Sequence, residues 1–230
     1  MTSYQAIIFD MDGVLADTEP LHAEATRRLM AAHGVTFTPG HDDNFFGLTD
    51  DEVFNQLCRR YQLDADPRSL SAAWNAEVVS GLAVGLEPLP GVPAVLGALR
   101  ARGYRLALAS GSSPAIIDAT LKALDLAGWF EHVVSGKEVG RGKPSPDVFL
   151  ESARRLGLEP AACLVVEDSA NGLTAAAAAG MACVVIPCGT TTSQNFARAK
   201  GRLASLEDLP AWLSRGQRHE PGLRTARSSW

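Results

Sequence analysis

Ala6-Ile7-Ile8-Phe9-Asp10-Met11-Asp12-Gly13-Val14 is the stretch on which the fold turns. Its apolar opening reads as a buried strand over 5–10. Two carboxylates then stand two positions apart, with a glycine directly after them. Side chains alternate along a strand, so a strict strand points Asp10 and Asp12 to the same side. Like charges that close repel, and burying an unpaired carboxylate is costly. A divalent cation offsets both costs, and hard oxygen donors suit Mg²⁺. The tip of the first strand is therefore the expected place of metal-assisted chemistry.

Beyond that tip the chain changes texture twice. Residues 21–33 predict a helix, because Leu21, Ala25, Leu29 and Ala32 share a face and Gly34 follows as a stop. A second helix is expected over 49–62, with Thr49 as its N-cap, and a third over 67–84 after Asp66-Pro67. No strand candidate lies between 16 and 87. From Pro88 onward, helices at 91–102, 114–126, 146–156 and 172–179 alternate with strands at 104–109, 132–135, 162–166 and 182–186. Gly103, Gly157 and Gly180 each end a helix just before a strand. That repetition predicts an α/β fold: a Rossmann-like parallel sheet with helices on both faces and an inserted all-helical domain. The expected division is a core of 1–15 plus 88–213, an insertion of 16–87, and a polar, Arg-rich flexible tail of 214–230.

Composition narrows the partners. With a formal net charge of −5 in 230 residues, nothing argues for a nucleic-acid or membrane surface. No apolar run approaches the roughly 20 residues that span a bilayer. The N-terminal residues lack the pattern of a signal peptide. Cys58, Cys163, Cys183 and Cys188 show no C-x-x-C spacing, so a reduced, cytoplasmic setting is expected, with a monomer as the default.

In an open parallel sheet, ligands bind beyond the carboxyl ends of the strands. Four short segments lie there. They are Asp10-Met11-Asp12, Ser110-Gly111-Ser112-Ser113-Pro114, Gly142-Lys143-Pro144-Ser145-Pro146 and Glu167-Asp168-Ser169. Each supplies a part that phosphoryl chemistry needs. Ser110, with the N–H of Gly111 and the coming helix N-terminus, offers donors to a phosphate. Lys143 is a point charge for the same phosphate. Glu167 and Asp168 add hard ligands beside Asp10. Asp10, as a carboxylate beside Mg²⁺ and Lys143, is placed to attack phosphorus.

The four segments, in this order, resemble the haloacid dehalogenase superfamily of phosphotransferases, and the likeness covers about 4 to 210. It resembles the helical-cap branch of phosphatases and β-phosphoglucomutases. The resemblance implies that Asp10 is the nucleophile and Asp12 the general acid and then base, with the Asp12 backbone carbonyl on Mg²⁺. It implies that Ser110 and Lys143 bind the phosphoryl group, beside the Gly111 N–H, and that Asp168, with Glu167, holds the metal. Glu167 is either a further ligand or a support behind one. An acid at Asp12 favours phosphate esters over carbon–halogen bonds, because a leaving alkoxide needs a proton and a halide does not. Asp17-Thr18-Glu19-Pro20-Leu21-His22 resembles a β-phosphoglucomutase spacing, which makes Thr18 and His22 substrate-facing candidates or plain hinge residues. Pro20 as the first helical residue would leave Thr18 ahead of the helix.

Mutases of this kind tend to carry a cap arginine where this chain has Phe46-Gly47-Leu48-Thr49-Asp50-Asp51, and Asp50 there would repel a phosphate. They often have Lys-Asn where it has Ser113-Pro114. The expected activity is therefore Mg²⁺-dependent hydrolysis of a small phosphorylated metabolite, a sugar or polyol phosphate. A sugar phosphomutase is the second reading, and a phosphate-sensing regulatory domain the third. Phe45, Phe46 and Trp74 are candidates to line a pocket or simply to pack.

Overall fold

The computed structural model describes residues 4–38 and 48–217. Among the described residues the strands are β1 (Ala6–Phe9), β2 (Arg105–Ser110), β3 (His132–Ser135), β4 (Cys163–Glu167), β5 (Ala182–Val185) and β6 (Gly201–Arg202). They form one parallel sheet in the order β3-β2-β1-β4-β5-β6. The helices are α1 (Glu19–Ala32), α2 (Asp50–Tyr61), α3 (Pro67–Leu82), α4 (Val92–Ala101), α5 (Pro114–Ala123), α6 (Asp147–Leu156), α7 (Ala170–Ala178) and α8 (Leu209–Gln217).

The alternation of side chains along β1 builds two cores. Ile7 and Phe9 join a cluster with Leu96 and Leu99 of α4 and Ile116 and Ile117 of α5. Ala6 and Ile8 join the other, with Val148 and Phe149 of α6 and Leu173 and Ala176 of α7. A strand covered on both faces has no room for polar side chains, which is why β1 reads as an unbroken apolar run. Since β1 pairs with both β2 and β4, the chain crosses over in opposite directions on either side of it. The crevice of such a sheet opens beyond the carboxyl end of that strand. Asp10 stands there.

The three inserted helices leave and rejoin the core at one place, where Leu89 N–H donates to the Leu15 carbonyl at 2.8 Å. α2 begins with a reciprocal cap: Thr49 Oγ1 accepts from Glu52 N–H, and the Glu52 carboxylate accepts from Thr49 N–H. α3 begins at Asp66, whose carboxylate accepts from Arg68 and Ser69 N–H. Lys137, after β3, reaches across to Asp51 and to Ser71, both at 3.2 Å.

Three expectations need correction. β1 ends at Phe9 rather than 10, so Asp10 and Asp12 are not strand residues. The sheet gains β6, whose two residues Gly201–Arg202 carry no apolar run for periodicity to detect. Residues 214–217 are not tail but the end of α8, which buries Leu209 and Leu213. The rest of the expected tail, 218–230, lies outside the described residues, as do Phe45 and Phe46 within 39–47. Cys58, Cys163, Cys183 and Cys188 are unpaired thiols. Among the described residues no helix is long and apolar enough to cross a membrane.

Candidate active site

Asp10 continues the line of β1 through its N–H bond to the Val166 carbonyl at 2.9 Å. The chain then turns, with Gly13 at φ +77° and its N–H bonded to the Ala16 carbonyl at 2.8 Å. Only 6% of Asp10 is exposed. Its Oδ1 accepts a 2.5 Å bond from the Lys143 ammonium, which is itself 1% exposed. Lys143 directs its other two hydrogens to Glu167 Oε1 at 2.7 Å and the Ala109 carbonyl at 3.2 Å. Glu167 Oε2 accepts from Asp168 N–H, Ser169 N–H and Ser169 Oγ at 3.0, 2.9 and 2.9 Å. The carboxylate fits there because α7 passes over it with Gly172. A Cβ at that position would meet Glu167 Oε1 at 1.8 Å.

The balance of charge is uneven. Asp10, Glu167 and Asp168, all buried, each bring one carboxylate oxygen within 4.8 Å of the others. One ammonium faces three carboxylates. Burial pushes Asp10 up to about 8, against the pull of Lys143 and with a further push from Glu167 and Asp12. Burial, then the Glu167 and Asp10 charges, push Asp168 up to about 9. Burial acts to lower Lys143, but Asp10 and Glu167 outweigh it and raise the ammonium above its usual range. Such a set lacks positive charge, and its all-oxygen donors fit Mg²⁺. Gly13 belongs to the same packing: a Cβ there would lie 2.5 Å from Asp168 Oδ2 and 2.7 Å from Cys188 Sγ.

Asp12 has different company. Its Oδ1 accepts from Thr18 Oγ1 at 2.5 Å, and its Oδ2 from Ser110 Oγ and Ser112 Oγ at 3.4 and 3.3 Å. The Asp12 carboxylate is therefore not among the grouped carboxylate oxygens that could hold a metal, and the shared side that a strict strand requires does not arise. Thr18 is the N-cap of α1, ahead of the helix, and bonds to Asp12 instead of capping with its side chain. Ser110 Oγ is buried and accepts from Ser112 N–H at 3.1 Å. Gly111 and Ser112 line the cavity above, while Ser110, Lys143 and Glu167 lie beneath its surface.

The sequence pattern of the haloacid dehalogenase-like hydrolases matches residues 4–180. The chain belongs to this family. It is 35% identical over 214 residues to protein CbbY of Rhodobacter capsulatus, covering 88% of this chain and 93% of that one. It is 37% identical over 179 residues to the fructose-1-phosphate phosphatase YqaB of Escherichia coli, covering 77% and 94%. Two crystal structures of CbbY from Rhodobacter sphaeroides, one with phosphate and one of a variant with xylulose 1,5-bisphosphate, superpose with a TM-score of 0.82. Each is 30% identical and covers 90% of this chain and 96% of that one.

In this haloacid dehalogenase-like hydrolase the inserted helices roof a cavity of about 690 Å³ over the carboxylates. That is ample for a small metabolite. From the core come Asp10, Asp12, Gly111, Ser112 and Asp168; from the insertion come His22, Asp50, Phe54, Leu57 and Trp74. His22 packs its ring on Trp74, centroids 5.1 Å apart, and its Nε2 is buried with no hydrogen-bond partner among the described residues. Two residues escaped sequence reasoning. Ser112 was quoted only as part of a loop, although two hydroxyls in Ser112-Ser113 were signal enough. Cys188, whose Sγ donates to Asp168 Oδ2 at 3.3 Å, sits after β5 with no motif around it. Asp50, the acid expected to repel a second phosphate, is only 6% exposed.

Proposed function

We propose that this hydrolase removes phosphate from a small phosphomonoester, a sugar or polyol phosphate, in two steps through Asp10. The observation that carries the reading is that the two motif carboxylates have different partners. Asp10 is held by Lys143 through one oxygen, and Asp12 by Thr18, Ser110 and Ser112. Different partners support different roles.

In the first step an Asp10 oxygen forms a bond to phosphorus, and the ester oxygen departs with its electron pair. Asp12, protonated, gives that oxygen its proton, so an alcohol leaves. In the second step water attacks the aspartyl phosphate, Asp12 takes a proton from it, and phosphate and free Asp10 result. Gly111 and Ser112 line the cavity at the N-terminal side of α5, where they would meet the transferring group. Asp10, Asp168 and Glu167 or the Asp12 carbonyl would hold Mg²⁺, which neutralises phosphoryl charge when bound. Lys143 favours the ionised form of Asp10, opposing the burial that raises it. A mutase must retain a second phosphate, and among the described residues neither lysine nor arginine lines the cavity.

The test is turnover of two esters with Mg²⁺ present, a sugar phosphate and p-nitrophenyl phosphate. Asp10→Asn abolishes both, since a carboxamide is a poor nucleophile. Asp12→Ala loses about 100-fold or more on the sugar phosphate and far less on p-nitrophenyl phosphate, whose phenolate leaves without a proton. Equal losses on the two esters would remove Asp12 from the acid role. Phosphate release by Asp10→Asn at the unsubstituted rate would remove Asp10 from the attack.

A further inference from the structure

Asp50 is the first residue of α2, buried at 6% exposure, and it faces the cavity from the inserted helices. Its fixed partners both sit on one oxygen. Asn75 Nδ2 donates to Oδ2 at 3.0 Å, and the Lys137 ammonium lies 3.5 Å from the same atom. Asn75 is anchored in turn, its side-chain carbonyl accepting from Ser113 Oγ and its amide donating to the Ser71 carbonyl at 2.8 Å. Asp50 is thus clamped in place with Oδ1 accepting no hydrogen bond among the described residues.

The rest of the roof defines what such an atom can receive. Phe54, Leu57 and Trp74 give apolar walls, and His22 adds its buried, unpartnered Nε2. No lysine or arginine lines the cavity among the described residues, and residues 39–47 contain none in sequence. A buried carboxylate whose second oxygen is left without a partner accepts a hydrogen-bond donor, and a wall without lysine or arginine offers a second phosphate no counter-charge.

We propose that Asp50 is the specificity residue of the site: Oδ1 accepts a hydroxyl of the substrate's alcohol portion, and the roof excludes esters that carry a second phosphate. The inference rests on the phosphatase reading and narrows it to polyhydroxylated monophosphates. It separates this chain from the CbbY relative crystallised with a bisphosphate.

The experiment compares kcat/KM for fructose 1-phosphate, fructose 1,6-bisphosphate, glucose 6-phosphate, glucosamine 6-phosphate and p-nitrophenyl phosphate. It uses the Mg²⁺-loaded protein and its Asp50→Asn variant. The unsubstituted protein prefers fructose 1-phosphate over the bisphosphate by about 100-fold or more. Asp50→Asn keeps the shape and the Asn75 contact, and its loss on fructose 1-phosphate exceeds its loss on p-nitrophenyl phosphate by about 10-fold or more, with the excess in KM. Similar rates on the mono- and bisphosphate overturn the proposal without any variant. So do equal losses on sugar and nitrophenyl esters, which mark Asp50 as merely structural. A loss on glucosamine 6-phosphate much larger than on glucose 6-phosphate would make the donor an ammonium and overturn the hydroxyl assignment. Absence of p-nitrophenyl phosphate turnover by the unsubstituted protein is a different failure, since it removes the phosphatase reading beneath the proposal.

Discussion

Replacing Lys143 with methionine removes one positive charge from the deepest part of the site while keeping most of its volume. Three acceptors lose their donor: Asp10 Oδ1, Glu167 Oε1 and the Ala109 carbonyl. Glu167 is fully buried and Asp10 nearly so, so neither recovers water in exchange. Breaking a buried ion pair from one side costs about 3–5 kcal/mol. In a chain of this size each kcal/mol moves Tm by about 2–4 °C. Lys143→Met is therefore expected to lower Tm by about 6–20 °C near pH 8 with the metal chelated. Mg²⁺ recovers part of the loss, because a divalent charge among the same carboxylates replaces part of what the ammonium supplied.

The pH dependence gives this prediction its sharper edge. Lys143 is raised above its usual range, so in the unsubstituted protein it stays charged from about pH 5 to about pH 9. Asp10 already sits at about 8 because of burial, and losing Lys143 pushes it higher still. An unfolded aspartate titrates near about 3.9. Between those values the folded variant binds a proton that the unfolded chain does not, so the variant gains stability as pH falls and loses it as pH rises. Thermal melts in a chelating buffer at about pH 5 and about pH 9 should show the smaller deficit at the acid end. A deficit below about 2 °C near pH 8, or one that is equal at both ends, would refute the electrostatic account of this triad.

Gly172→Ala ought to raise stability on helix propensity alone, by up to about 1 kcal/mol. The structure reverses the sign: the new Cβ would sit 1.8 Å from Glu167 Oε1, and displacing that carboxylate strands Lys143. A loss of about 3 kcal/mol or more in urea unfolding is expected, and a change within 1 kcal/mol would refute the packing argument. Mg²⁺ and protons compete for Asp10 and Asp168, raised to about 8 and about 9. The Tm gained on adding Mg²⁺ should therefore grow from about pH 6 to about pH 9, and a gain independent of pH would show that the metal binds elsewhere.

What the sequence made legible was what lies within a few residues of a strand. Ile7 and Ile8 announce a buried strand, Gly157 and Gly180 stop helices before β4 and β5, and Thr49 caps α2. The acids, the serine and the lysine at the strand ends could be read as one site because a parallel sheet gathers its carboxyl ends along one edge. The direction of the Asp12 side chain could not be read that way. It depends on the strand stopping at Phe9 and on the turn at Gly13, which aims Asp12 at Thr18 and Ser112 rather than along the line of Asp10. β6 escaped for another reason, since two residues are too few to carry a period.

Asp50 marks the deeper limit. In the chain it is one of three acids opening a helix, and the helix dipole is reason enough for it to be there. Its meaning comes from residues 25 and 38 positions away along the path Asp50 to Asn75 to Ser113. That path runs from the roof into the loop whose Ser112 hydroxyl bonds Asp12. Asp50, proposed to meet the alcohol portion of a substrate, and Asp12, proposed to protonate it, are thus linked across the insertion–core boundary by hydrogen bonds and the Ser112-Ser113 backbone. A roof that shifts relative to the sheet must break or stretch the Asn75–Ser113 contact. On the proposed roles, the seating of the alcohol portion and the placement of the proton donor are one structural event, and no local pattern in the sequence encodes that link.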